Sequence, residues 1–270
     1  MLAGMLITIR EGVEAFLITG ILLVYLKKVG YASLEKYVWA GTILGVIISI
    51  ALALAFQTLA IQFEGPGAAI FEALASIIAI PILSYMLIWM QGQSTSIKGD
   101  IEVKAEMFTY SGRVLPLAFL AFVTVLREGL ETALFLTALS SRAAGSGLLL
   151  GAALGLVIAA AIVYLIFVST VRLNLGTFFA VTGALLLFVA AGLVSHVFMA
   201  LQEVGFPPII ANIWSTKHII DAEGLVGRLL HAFVGYHDEP SLIQALAYFT
   251  YLGVMGWAFI RKVRLTRQRK

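Results

Sequence analysis

The chain has 270 residues, 61% of them hydrophobic and only 12% charged, with a mean hydropathy of +1.00, a balance that excludes an ordinary soluble domain and places it in a bilayer. It has no cysteine, which excludes disulfides, cysteine-ligated zinc and iron–sulfur clusters and leaves oxygen and imidazole as the metal ligands. The net charge of +3 is no nucleic-acid footprint, because the basic residues sit in short loops and in the terminal RKVRLTRQRK.

In chain order, apolar windows at 2–26, 37–61, 68–91, 113–140, 146–171, 176–201 and 241–261 are each long enough to cross about 30 Å of hydrocarbon as a helix. The first starts at Met1 without a basic leader and carries Arg10, Glu11 and Glu14 where a signal peptide needs an unbroken apolar core, so it is expected to be retained. Its centre reads REGVEAFL, residues 10–17, and the centre of the fourth reads REGLETAL, residues 127–134. The third holds a lone carboxylate, Glu72, an internal proline, Pro81, and the segment SYMLIWM, taken as lipid-facing or interfacial. The loop GQSTSIKGDIEVKAEMFTYS, 92–111, is mixed in charge and receives no function. The sixth contains His196, either a ligand or proton carrier facing the polar seam or a satisfied packing residue.

The segment 202–240 is amphipathic: Ile219, Ile220, Leu225, Val226, Leu229, Leu230 and Phe233 recur at helical spacing, which predicts a helix lying at the membrane interface. Asp221, Glu223, His231, His237, Asp238 and Glu239 are there to collect a cation or dock a partner, or form a solvated rim. A basic tail, 262–270, follows the seventh span.

Seven spans put the termini on opposite sides. With the N-terminus outside, Lys27, Lys28, Lys36, Lys98, Lys104, Arg113, Arg172 and the six basic residues of the terminal RKVRLTRQRK are cytoplasmic, against Arg142, Lys217 and Arg228 outside. That 13 to 3 split obeys the positive-inside rule, so the orientation is N-out, C-in, with 202–240 facing outward.

The motif Arg-Glu-Gly-x-Glu recurs in spans one and four, GTILG at 41–45 in span two is echoed by GAALG at 151–155 in span five, and IFEALAS at 70–76 loosely matches TFFAVTG at 177–183. The single membrane domain, 1–270, therefore divides into a three-helix repeat at 1–91, a second at 113–201, and one extra helix. An odd number of spans per unit inverts the second unit, and a pseudo-two-fold axis in the membrane plane brings the two motifs together near mid-depth.

On a helix at 100° per residue, positions 10, 11 and 14 share one narrow stripe, as do 127, 128 and 131, while Gly12 and Gly129 lie opposite. Facing lipid, each charge costs about 2.5 to 3.5 kcal/mol, so the stripes must be buried together, with the glycines letting other helices approach from behind. Pairing at i and i+4, Arg10 with Glu14 and Arg127 with Glu131, neutralises only part of this seam. Four glutamates against two arginines leave −2, so Glu11 and Glu128 require protons or a bound cation, and Glu72 adds a fifth carboxylate for a hard ion.

Two such motifs at matching positions of an inverted repeat resemble the iron permease family, the oxidase-dependent iron transporters. FEALASIIAIPILSYMLIWM around span three and GYHDEPSLIQALAYFTYLG leading into span seven resemble family segments as well. The resemblance implies iron uptake, usually ferric, across the cytoplasmic membrane, with Glu11, Glu14, Glu128 and Glu131 as ligands and Arg10 and Arg127 as charge partners. It implies iron as cargo with no cofactor, and an extracytoplasmic iron oxidase or periplasmic iron-handling protein as partner.

Two rivals are weighed against it. A permease for ferrous iron or another divalent ion, or a proton-coupled carrier, uses the same ligand chemistry. A membrane phosphatase acting on polyprenyl pyrophosphate also carries acidic motifs and an arginine, but here neither motif is followed by a Ser-Ser or Ser-x-His cluster. The phosphate-binding pattern GxxxxGK[ST] is absent, so direct ATP drive by this chain is not expected.

Overall fold

In lipid a backbone satisfies its own hydrogen bonds only as a helix or a closed barrel, and each of the seven apolar windows folds as a helix. The computed structural model describes residues 1–63, 65–93, 99, 101, 103, 105, 114–140, 145–168, 175–205, 213–217, 224, 227, 230 and 234–268. The helices are α1 (Leu2–Lys28), α2 (Glu35–Ile61), α3 (Pro66–Gln93), α4 (Val114–Ser140), α5 (Gly145–Val168), α6 (Leu175–Glu203) and α7 (Leu242–Gln268). Five of them, α2, α3, α5, α6 and α7, are long and apolar enough to cross a membrane. Helices α1 and α4 match them in length but each carries three charges at its centre.

Local chemistry explains several boundaries. Helix α1 ends at Lys28, two residues before Gly30, whose φ of 83° is open to glycine at little cost. Gly30 N–H donates to Lys27 O at 3.3 Å and Tyr31 N–H to Leu26 O at 2.9 Å, the paired capping bonds that reverse a chain after a helix. A short 3-10 turn, Ala32–Leu34, then leads into α2. Helix α3 opens on Pro66, where the missing N–H is harmless, and runs unbroken through Pro81. Helix α7 opens on a capping box: Gln244 N–H donates to Ser241 Oγ at 3.3 Å, and Ser241 N–H to Gln244 Oε1 at 3.2 Å. It continues to Gln268, so the segment expected as a tail from residue 262 is mostly helix. No glycine or proline interrupts it after Gly256, and lysines and arginines near a helix C-terminus oppose no dipole.

The helices pack by close backbone approach at small residues, as association in lipid favours. Helix α5 lies parallel to α1: a Cβ added at Gly151 would overlap Met1 O, one at Gly155 would come within 2.6 Å of Met5 O, and one at Gly12 within 2.9 Å of Ala159 Cβ. Helix α2 lies parallel to α4 in the same way: a Cβ at Gly41 would overlap Ala118 O, one at Gly45 would fall 3.1 Å from Phe122 O, and one at Gly129 would overlap Ser49. Each contact on one side has its counterpart on the other, Gly41 with Gly151, Gly45 with Gly155 and Gly129 with Gly12. Helices α3 and α6 cross in opposite directions, with His196 beside Glu72 at one end and Gln91 Nε2 donating to Phe179 O at 3.0 Å at the other.

The main apolar core combines Ile7 and Val13 of α1, Leu83, Met86 and Met90 of α3, Phe135 of α4, Ala159 of α5, Leu186 and Leu193 of α6 and Phe259 of α7. The expectation that SYMLIWM faces lipid is corrected here. Met86, Leu87 and Met90 are fully buried and only Tyr85 is exposed, because α3 is packed against α4, α6 and α7 together. Lipid-like exposure belongs instead to α2 and α5, through Ile43, Ile47, Leu54, Leu150, Val157 and Tyr164 among others. Ile101 and Ala105, in the segment 92–111, join a second cluster with Leu22, Leu26, Val38, Leu117 and Ala121.

Candidate functional site

The two motif helices meet at their charged stripes. Arg10, Glu11 and Glu14 of α1 and Glu128 of α4 are all buried, and the glycines on the reverse faces are gripped by neighbours, Gly12 by Leu156 and Ala159 and Gly129 by Ser49. Burial of this many charges follows from that packing, since a helix pressed from behind at a glycine presents its opposite stripe to whatever lies in front.

Carboxylate oxygens of Glu11, Glu128 and Glu131 lie within 4.8 Å of one another, the one acidic or imidazole group of three with metal-ligand spacing among the described residues. Glu14 is buried beside the seam but is not one of the three. One carboxylate oxygen on each of Glu11, Glu14, Glu128 and Glu131 is sealed from solvent with no hydrogen-bond partner. Buried anionic oxygens left so cost several kcal/mol unless a proton or cation satisfies them.

The arginines compensate part of this charge, and not in the way helical spacing suggests for both. Arg127 Nε donates to Glu131 Oε1 at 2.9 Å, the expected i, i+4 pair, and lies 3.6 Å from Glu128 Oε1. Arg10 Nη1 donates to Glu11 Oε1 at 3.0 Å, which corrects the expected Arg10–Glu14 pair. Glu11 is the α1 carboxylate grouped with the two from α4, and the long guanidinium pairs with it. The two arginines also differ in access: Arg10 is 1% exposed, Arg127 is 41% exposed. The guanidinium carbon of Arg127 stands 5.1 Å from the centroid of the Trp89 ring, a cation–π contact invisible to sequence reasoning because it joins different helices. Its only sequence signal was a tryptophan near the C-terminal end of α3.

Glu72 stands apart from the cluster. Its Oε2 lies 3.6 Å from His196 Nε2, with His196 buried and Glu72 about one third exposed. His196 thus meets a carboxylate of α3 and is no member of the three-glutamate group. Gly235, with φ of 68°, packs against Gly192 of α6, where an added Cβ would collide with the Gly192 backbone. The loop therefore folds back onto α6 one turn from His196.

Of the loop candidates, Asp221, Glu223 and His231 lie outside the described residues, as does most of the expected interfacial helix. Asp238 and Glu239 bond within the loop. Asp238 O accepts from Thr216 N–H at 2.9 Å and Glu239 Oε1 from Ser215 Oγ at 2.8 Å. His237 is half-buried between them and Tyr236, whose hydroxyl is bonded to Thr216. The bonds of Tyr236, Asp238 and Glu239 hold the loop to itself, and His237, Asp238 and Glu239 form no three-ligand group with one another. A polar knot that sequence reasoning missed ties α6 to α7: Gln202 Oε1 accepts from Ser241 Oγ at 3.1 Å and from Gln244 Nε2 at 2.9 Å. The Ser-x-x-Gln spacing before an apolar run was the available signal.

The sequence profile of the Iron permease FTR1 family matches residues 1–269. Among curated proteins, the chain is similar to the Ferrous iron permease EfeU of Yersinia pestis, 32% identical over 93% of this chain and 90% of the relative. It is similar likewise to that of Escherichia coli O6:K15:H31 (strain 536 / UPEC), 31% identical over 93% of this chain and 92% of the relative. No solved structure matches.

Proposed function

We propose that this chain, which belongs to the Iron permease FTR1 family, carries iron across the cytoplasmic membrane through the carboxylate seam between α1 and α4, with Glu11, Glu14, Glu128 and Glu131 as successive ligands. The observation that carries the reading is the set of four sealed carboxylate oxygens without partners, one on each of these glutamates. Hard oxygen donors in a water-poor seam suit a hard cation, and the net charge of −2 makes binding favourable without making release impossible.

The matched glycine contacts of α1 with α5 and α4 with α2 support a 3+3 inverted repeat plus one helix, with α1 and α4 spanning the membrane as well as the five apolar helices. The distribution of basic residues supports N-out, C-in. Under this orientation Glu72 and His196 lie toward the outside, where the folded-back loop faces an extracytoplasmic iron oxidase or iron-handling protein.

Carboxylate hardness favours Fe3+ as cargo. A second reading, Fe2+, is favoured by the name of the EfeU relatives and by charge, since a divalent ion neutralises a seam of −2. Uptake of radiolabelled iron into iron-starved, transport-deficient cells, supplied as ferric and as ascorbate-reduced ferrous iron beside a Glu128→Gln control, separates them. Accumulation by wild type alone supports the seam as the path, and the preferred oxidation state names the cargo. Equal accumulation by Glu128→Gln at equal membrane level sinks the ligand assignment.

A further inference from the structure

The two halves of the seam are not equivalent at their arginines. Arg10 is sealed at 1% exposure with one carboxylate partner, whereas Arg127 is 41% exposed, holds Glu131 and Glu128 through one edge, and lays its guanidinium 5.1 Å from the Trp89 centroid. The repeat sharpens the contrast. Residue 70 of IFEALAS matches 177 of TFFAVTG, and at the same offset Trp89 matches His196. The position that offers an indole face beside Arg127 in one half therefore offers an imidazole, bound up with Glu72, in the other.

A cation bound by the free oxygens of Glu11, Glu128 and Glu131 draws on the same two carboxylates whose other oxygens Arg127 holds, and its charge repels the guanidinium. A sealed arginine has nowhere to go when its carboxylates are taken; a half-exposed one with a second seat does. A planar guanidinium can keep its face on an indole while its edge N–H groups let go of a carboxylate. Tyr85, whose ring is stacked on Trp89 at 6.4 Å between centroids, braces that seat from the next turn of α3.

We propose that Trp89 is a positioning residue for Arg127, the seat that keeps this guanidinium in place when the cargo displaces it from Glu128 and Glu131. Arg127 then acts as an internal counter-cation that yields to the incoming ion and returns after release, while Arg10 stays fixed. This rests on the seam being the iron path. Trp89 matters most in the loaded state, where the ring is the main partner left to Arg127, and less in the empty state, where two carboxylates also hold it. Losing the ring therefore weakens loading.

The test is the concentration dependence of radiolabelled iron uptake by Trp89→Leu and Trp89→Phe, at matched membrane level, in the oxidation state that wild type prefers, with Glu128→Gln alongside. Trp89→Leu is expected to raise KM about fivefold, as the loss of one cation–π contact predicts, with Vmax reduced less than twofold. Trp89→Phe, which keeps an aromatic face, is expected to recover most of the wild-type KM. A wild-type KM in Trp89→Leu, or a Phe variant as impaired as Leu, overturns the proposal. If Glu128→Gln itself transports normally, the seam reading fails instead. If Glu128→Gln is inactive and both Trp89 variants behave as wild type, only the role of Trp89 is lost.

Discussion

Replacing Glu11 by glutamine changes charge and almost nothing else. The amide oxygen keeps the position from which Glu11 Oε1 accepts Arg10 Nη1 at 3.0 Å, so the buried arginine retains an acceptor and the fold is expected to survive. What disappears is one of three carboxylates whose oxygens lie within 4.8 Å of one another. A unit charge about 4 Å from a divalent cation contributes about 8 kcal/mol at an effective dielectric of 20. Desolvation and rearrangement offset much of that, and even one third of it, about 2.7 kcal/mol, corresponds to about a 100-fold loss of affinity. Uptake of radiolabelled iron by Glu11→Gln at subsaturating concentration is therefore expected to fall about 100-fold at unchanged membrane level. Glu14→Gln, outside the group of three, should lose clearly less. Uptake by Glu11→Gln within about threefold of wild type would refute the argument, since a ligand charge of this size cannot vanish from a working site so cheaply.

Two further outcomes follow from the packing and from the Glu72–His196 pair. Gly129→Ala drives a methyl into Ser49 and is expected to destabilise the detergent-solubilised protein by about 1 to 3 kcal/mol, as overpacking does; Ser49→Gly in the same chain should restore much of the loss. A thermal melt followed by size-exclusion chromatography measures both, and absence of rescue in the double variant would mean that α2 does not grip α4 at this point. Glu72→Gln removes the carboxylate beside His196 and is expected to lower iron uptake several-fold through KM with normal protein level. An unchanged concentration dependence would assign that pair to packing alone.

Much of this molecule was legible in one dimension because its strongest constraints are local. Seven apolar runs dictate seven helices, since lipid offers the backbone no other partner. The helical period puts the three motif charges on one stripe and the motif glycine behind it, and Gly12 and Gly129 are indeed approached closely by other helices. The limits of reading appear at the same residues. Periodicity ranks Glu11 and Glu14 alike, yet only Glu11 joins Glu128 and Glu131, because distances between helices depend on how each is rotated about its axis. The i, i+4 rule held for Arg127 and failed for Arg10, whose guanidinium follows the potential of carboxylates on another helix. The aromatic segment of α3 looked like lipid-facing surface, but α4, α6 and α7 enclose it, and one of its tryptophans meets an arginine of the motif. His196 found Glu72 for the same reason. The sequence by itself determined the helices and the composition of the polar seam, set by hydrophobic length and helical period; which charges meet, and which arginine is sealed and which exposed, was decided only by the rotation and crossing of helices far apart in the chain.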